Sequence, residues 1–167
     1  LIYKNGKINE DIYLNIANYL PEKSFLVFND TKVIKARILF QKITGFVIEI
    51  FCLEPYEKIN DYPVVLQQKN STRWKCMIGG AGKWKEKFLE KEFFIHAKKI
   101  ILKVELIEKL NDAYVVELSW TPGEYSFAEI IDHAGATPLP PYIKRKAEEV
   151  DAEKYQTIYS SHEGSVA

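Results

Sequence analysis

Between residues 33 and 120 the amino-acid pattern is almost entirely that of β-strands, and this long run limits what the chain can become. Ile34, Ala36, Ile38 and Phe40 alternate with Lys35, Arg37 and Gln41, the period-2 pattern of a strand with one buried face. Gly45 marks a hairpin into residues 46–53, and Pro55 breaks that strand. Residues 64–68, 73–78, 87–95, 100–110 and 114–120 are further strand candidates, with Asn111-Asp112 as a hairpin turn and Gly79-Gly80-Ala81-Gly82 as a flexible hairpin loop. Several short strands separated by turn signals predict a small antiparallel barrel or sandwich. A barrel of this size is filled by its own side chains, so its inward aromatics are read as core.

Helix signals bracket the run on both sides. Residues 2–8 form a strand with a Lys4-Asn5-Gly6 turn. Asn9 is the expected N-cap of a helix that carries Ile12, Tyr13, Ile16, Ala17 and Leu20 on one face and ends at Pro21. Residues 25–28 (Phe-Leu-Val-Phe) read as a strand buried on both faces. Beyond the run, Ser126-Phe127-Ala128-Glu129 has capping-box spacing and predicts a helix from Phe127, closed by a C-terminal glycine at Gly135. The expected fold class is therefore mixed α/β. A small antiparallel β-barrel domain, residues 34–120, is inserted into an α/β domain made of residues 1–33 and 121–167, which is incomplete in this chain.

Charge and cysteine content narrow the function classes. Lysine plus arginine and aspartate plus glutamate each number 23, so the chain is no polycation. Cys52 and Cys76 sit in apolar runs and read as buried, reduced thiols; no stretch has the length of a membrane span, and a cytoplasmic protein is expected. His96, His133 and His162 lack metal-ligand spacing, so no metal is expected, and the glycine cluster at 79–82 lacks the lysine and following helix of a phosphate loop. Lys83, Lys85, Lys87 and Lys91 around Trp84 read most plainly as a solvated strand face, and functionally as a track for a nucleic-acid backbone.

Two blocks carry the chemistry. Val-Phe-Asn-Asp-Thr-Lys-Val-Ile-Lys-Ala-Arg, residues 27–37, sets Asn29, Asp30 and Thr31 at a strand end, where buried sheets often present ligand-binding groups. The second block begins with Pro138, Pro140 and Pro141, which stiffen residues 137–142 into an extended rod, and continues through an acidic stretch to Tyr-Gln-Thr-Ile-Tyr and Gly-Ser-Val-Ala. Both blocks, in this order, closely resemble the S-adenosylmethionine:tRNA ribosyltransferase-isomerase family of the queuosine pathway. Family members continue past Gly-Ser-Val-Ala, so the chain is expected to be a central piece of a longer protein, folding in part and inactive alone.

The resemblance implies transfer and isomerisation of the ribosyl group of S-adenosylmethionine onto 7-aminomethyl-7-deazaguanine at the tRNA wobble position. The products are epoxyqueuosine, adenine and methionine. S-adenosylmethionine is then a ribosyl-donor substrate, and the partner is the tRNA anticodon loop. A base must take a proton beside the sulfonium. Asp30 is the candidate catalytic acceptor. Asn29, Thr31, Arg37, Tyr142, Lys144, Arg145, Tyr155, Gln156, Thr157, Tyr159, Gly164, Ser165, Val166 and Ala167 are the candidate substrate-binding residues. Arginine forks suit phosphates, tyrosines stack on bases, and small residues let a backbone approach a ligand. The alternative is a non-catalytic RNA-binding β-barrel module.

Overall fold

The computed structural model describes residues 1–28, 30–56, 61–139, 143, 145, 148, 150–154, 156–157 and 162–165, with backbone alone at 4, 152–153 and 162–165. β1 (Ile2–Lys4) and β2 (Lys7–Asn9) form the expected hairpin. Asn5 and Gly6 turn it with φ of 51° and 75°, the pair of positive angles that suits the right-handed twist of two strands. After a 3-10 segment (Tyr13–Tyr19) come β3 (Thr31–Val33), β4 (Arg37–Gln41), β5 (Val47–Pro55) and the short α1 (Tyr62–Leu66). β6 (Ser71–Gly79), β7 (Phe88–Ile95), β8 (Lys98–Lys109), β9 (Tyr114–Thr121), α2 (Phe127–Ala134), β10 (Gly135–Ala136), α3 (Asp151–Lys154) and β11 (His162–Ser165) complete the described elements.

Seven strands make one antiparallel sheet in the order β10-β4-β5-β6-β9-β8-β7. It curls until β4, next to one edge, approaches β7 at the other, and α2 packs against β4, β7 and β10 across the gap. The Lys91 ammonium on β7 donates to the Ala134 carbonyl at 2.7 Å, tying the far edge to the end of the helix. Burial holds this lysine below its ordinary pKa. The result is a half-barrel closed by a helix instead of a seam of main-chain hydrogen bonds.

The alternation read in the sequence builds the core. Ile38, Phe40, Ile48, Ile50, Cys52, Trp74, Cys76, Leu102, Val104, Val116 and Leu118 point inward with no exposed surface. α2 adds Phe127 and Ile130, also fully buried, and Phe127 lies 5.3 Å from Trp74 and 5.8 Å from Trp120 between ring centroids. Burying a phenylalanine side chain of this kind is worth roughly 1.5–3 kcal/mol. Cys52 and Cys76 are cross-strand partners, both free, and burial raises the Cys76 thiol well above its ordinary value, so it stays protonated.

The capping box at Ser126 is complete. Its hydroxyl accepts from the Glu129 N–H while the Glu129 carboxylate accepts from the Ser126 N–H. Gly135 differs from expectation. Its backbone is extended (φ −88°, ψ 169°), so left-handed freedom is not what it supplies. A Cβ there would fall 2.0 Å from the Lys35 carbonyl oxygen and 2.5 Å from that of Ile131, so glycine is required by close approach.

Four expectations are corrected. Residues 25–28 form no strand: Phe25 is 90% exposed and Val27 81%, because no described strand pairs with them to supply a buried ladder. Residues 64–68 fall largely in α1, where Pro63 occupies the first turn, a position in which its missing N–H costs nothing. The helix expected after Asn9 is the 3-10 segment, with none of its residues buried. Without a packed apolar face, a short helix has little to stabilise it; here the Asp11 carboxylate organises the segment by accepting from Ile12 N–H, Asn15 Nδ2 and Tyr19 Oη. The 79–82 loop contains a 3-10 turn at Ala81–Lys83 and joins β6 to β7, which are not neighbours, so it is no hairpin. The described fold is thus mostly β, with three short helices. Among the described residues, segments 1–33 and 121–167 contribute short helices, the β1-β2 hairpin and a two-stranded parallel pair, β11-β3, in place of the larger sheet expected of an α/β domain.

Candidate functional site

The parallel pair brings the two signature blocks together. β11 aligns His162 with Thr31 and Glu163 with Lys32, then passes a bulge to set Ser165 opposite Val33. A second tie comes from 123 residues away in sequence: the Gln156 side chain bonds the backbone of Val33. Val33 N–H donates to Gln156 Oε1 at 2.6 Å, and Gln156 Nε2 donates to the Val33 carbonyl at 3.2 Å. Thr157 N–H also donates to Oε1, at 3.0 Å.

Beside this junction lies a cavity of about 470 Å³, within the range of small-molecule sites. One wall is Lys32, Val33, Ile34 and Lys35; the other is the face of α2 bearing Ala128, Glu129, Ile131, Asp132 and His133; Leu66, Thr137 and Gln156 complete it. Lys35 Nζ pairs with Asp132 Oδ1 at 2.8 Å and also bonds the Asp132 carbonyl at 2.9 Å, so the segment between β3 and β4 is pinned to α2 beside the cavity. Glu129 is held below its ordinary pKa by the Ser126 N–H and hydroxyl that it accepts, and stays anionic. His133 Nδ1 lies 2.9 Å from the Glu129 carbonyl; with Nδ1–H donating there, Nε2 is the nitrogen left for other partners. The His96 ring stands edge-on to His133 at 6.5 Å. An apolar floor with both signs of charge at its rim suits a small ligand that is itself part apolar and part charged.

The residues proposed from sequence distribute unevenly around this cavity. Gln156 lines it. Asp30 is exposed and directly precedes β3, in which Thr31 is the first residue. Gly164 and Ser165 belong to β11, and Thr157 joins the Gln156 tie. Arg37 lies on β4, with Nε 2.7 Å from Glu49 Oε1 and its guanidinium 5.5 Å above the Phe51 ring. Arg145 directs both terminal nitrogens at Asp151, at 2.6 and 2.7 Å, and the Glu148 N–H adds a third bond at 2.7 Å. These hold the buried Asp151 carboxyl at about 2. The fork expected to meet a phosphate thus meets a carboxylate of its own loop. Asn29, Tyr142, Lys144, Tyr155, Tyr159, Val166 and Ala167 lie outside the described residues. From sequence, Glu129 has only a capping role, His133 lacks metal spacing and Asp132 is not singled out; their i, i+3, i+4 spacing opposite the buried face of α2 was the available signal. Lys32 and Lys35 lie within the first block itself.

Among the described residues no group of three His, Cys, Asp or Glu side chains is placed to hold a metal ion, and no helix is long and apolar enough to cross a membrane.

Fold and cavity together define a curled antiparallel β protein with a cavity where two distant sequence blocks join. The chain belongs to the family of queuosine biosynthesis proteins, whose sequence model matches residues 1–167. It is 36% identical over 98% of its length to an S-adenosylmethionine:tRNA ribosyltransferase-isomerase of Fusobacterium nucleatum, of which it covers 41%. Proteins of the same name from Aquifex aeolicus and Campylobacter jejuni are 33% and 34% identical over 98% of the chain, which spans 42% and 44% of them. The chain therefore covers less than half the length of these relatives. No solved structure matches it.

Proposed function

We propose that the chain contributes the S-adenosylmethionine-facing part of a tRNA ribosyltransferase-isomerase, with its site at the β3–β11 junction. The observation that carries this reading is the union of the two signature blocks beside one cavity. The reaction moves the ribosyl group of S-adenosylmethionine to a 7-aminomethyl-7-deazaguanine in the tRNA wobble position, releasing adenine and methionine. S-adenosylmethionine carries a sulfonium cation, an ammonium, a carboxylate and an apolar purine face. Glu129 and Asp132 supply negative charge for its cationic groups, and Lys32 supplies a partner for its carboxylate. Ile34, Ile131 and Leu66 offer apolar surface to the purine. Asp30, exposed at the start of β3, is the base that takes the proton made acidic by the adjacent sulfonium.

The experiment is a chimaera in which this chain replaces the matching segment of the Fusobacterium nucleatum relative. Adenine release from S-adenosylmethionine and substrate tRNA is expected. In that chimaera Asp30→Asn lowers turnover at least about 100-fold, the usual worth of a general base, with the melting temperature unchanged. A chimaera that folds without releasing adenine sinks the assignment of activity. Full turnover in Asp30→Asn removes Asp30 from the chemistry.

A further inference from the structure

We infer that Gln156 is a positioning residue: its single carboxamide locks the second signature block onto the first and so keeps the cavity in its ligand-binding shape. The inference rests on the S-adenosylmethionine reading above for its ligand, and on geometry alone for the lock.

Three bonds define it. Oε1 accepts from both Val33 N–H (2.6 Å) and Thr157 N–H (3.0 Å), while Nε2 donates to the Val33 carbonyl (3.2 Å). The amide orientation is forced. With oxygen and nitrogen exchanged, an NH₂ would face two N–H donors and an oxygen would face a carbonyl. Val33 therefore receives from a side chain the donor–acceptor pair that a neighbouring strand would give it. In a strand, the N–H and C=O of one residue point the same way, so Gln156 closes one edge of β3 while β11 pairs along it. The backbone so gripped is also cavity wall, since Val33 and its neighbours Lys32 and Ile34 line the space together with Gln156.

Few residues can do this. The site needs an acceptor and a donor on one planar group at the end of a two-methylene stem. Glutamate keeps the shape and both acceptor contacts, but loses the donor and sets a negative charge against the Val33 carbonyl. Asparagine keeps the chemistry and falls a methylene short. Alanine leaves the part-buried Val33 and Thr157 N–H groups without this acceptor. Protonated glutamic acid, in contrast, presents an O–H donor beside a C=O acceptor, which restores the pattern of the carboxamide.

The test uses the chimaera described above, with S-adenosylmethionine as the probe. Affinity is measured by titration calorimetry, and the Val33 and Thr157 amides are followed by hydrogen exchange. In Gln156→Ala both amides exchange at least about tenfold faster while those of β5, β6 and β9 do not change, and affinity falls at least about tenfold. Gln156→Glu keeps both N–H contacts and loses only the donor to the Val33 carbonyl, so it binds less tightly than wild type but more tightly than Gln156→Ala. Faster exchange with unchanged affinity makes Gln156 merely structural and overturns the inference. So does unchanged exchange at Val33, or an affinity in Gln156→Glu no better than in Gln156→Ala. A wild-type chimaera that does not bind the probe overturns the S-adenosylmethionine reading, and the inference with it.

Discussion

The curled sheet and the β3–β11 junction are held together by different physics. In the sheet, strand neighbours mostly lie close in sequence, and a continuous cluster of fully buried side chains runs from Ile38 on β4 to Leu118 on β9. At the junction, three-residue β3 and four-residue β11 meet across most of the chain, and the side-chain ties among the described residues are polar: Gln156 to Val33, and beside it Lys35 to Asp132. Hydrophobic burial is non-directional and sums over area, so it makes a robust scaffold. Polar clips contribute little net stability each but demand exact donor–acceptor geometry, so they set position. The scaffold carries the stability, and the junction carries the alignment on which a site depends.

Substitutions should separate the two. Phe127→Ala removes the ring that packs on Trp74 and Trp120, and should cost about 3–5 kcal/mol, lowering the melting temperature by roughly 2–4 °C for each kcal/mol in a calorimetric scan. Gly135→Ala drives a methyl group against two backbone carbonyls that cannot retreat as a side chain would, at a cost of about 1–3 kcal/mol, and should loosen α2 from β4 in hydrogen exchange. Ser126→Ala removes half of the capping box and should cost about 1 kcal/mol, with faster exchange confined to the first turn of α2. At the small end, acid should act on the Arg145–Asp151 pair, outside the sheet. The Asp151 carboxylate has its folded value depressed from 3.8 to about 2, so its contribution is complete above pH 4 and lost as the pH falls toward 2. NMR signals of residues 145–151 should broaden across that window while those of β5 and β9 stay sharp. If the sheet melts with them, the two regions are one cooperative unit and the contrast fails.

How much was legible follows the same division. The Asn5-Gly6 turn and the Ser126 capping box are local signals, and each became the element it indicated; the alternation from Ile34 to Phe40 became β4 only from Arg37. The short apolar run at 64–68 was ambiguous between strand and helix, and Pro63 in the first turn resolves it toward α1. Residues 25–28 carry a pattern that only a partner strand can satisfy, and local sequence holds no record of whether one is present. The site was legible as two motif blocks but not as a shape. That Gln156 would reach Val33, or that the outer face of α2 would wall a cavity, depends on pairing over 123 residues, which no periodicity encodes.

α2 has no idle side. Phe127, Ile130 and Ala134 plug the half-barrel, Glu129, Asp132 and His133 face the cavity, and Ile131 does both. A helix on a protein surface ordinarily has a wet stripe along which residues can drift without consequence. Here a change that shifts the helix to suit one compartment shifts the other by the same amount. Adaptation of the cavity to a different ligand is thus tethered to repacking of the barrel, and specificity can change cheaply only from the opposite wall, at Lys32 and Lys35.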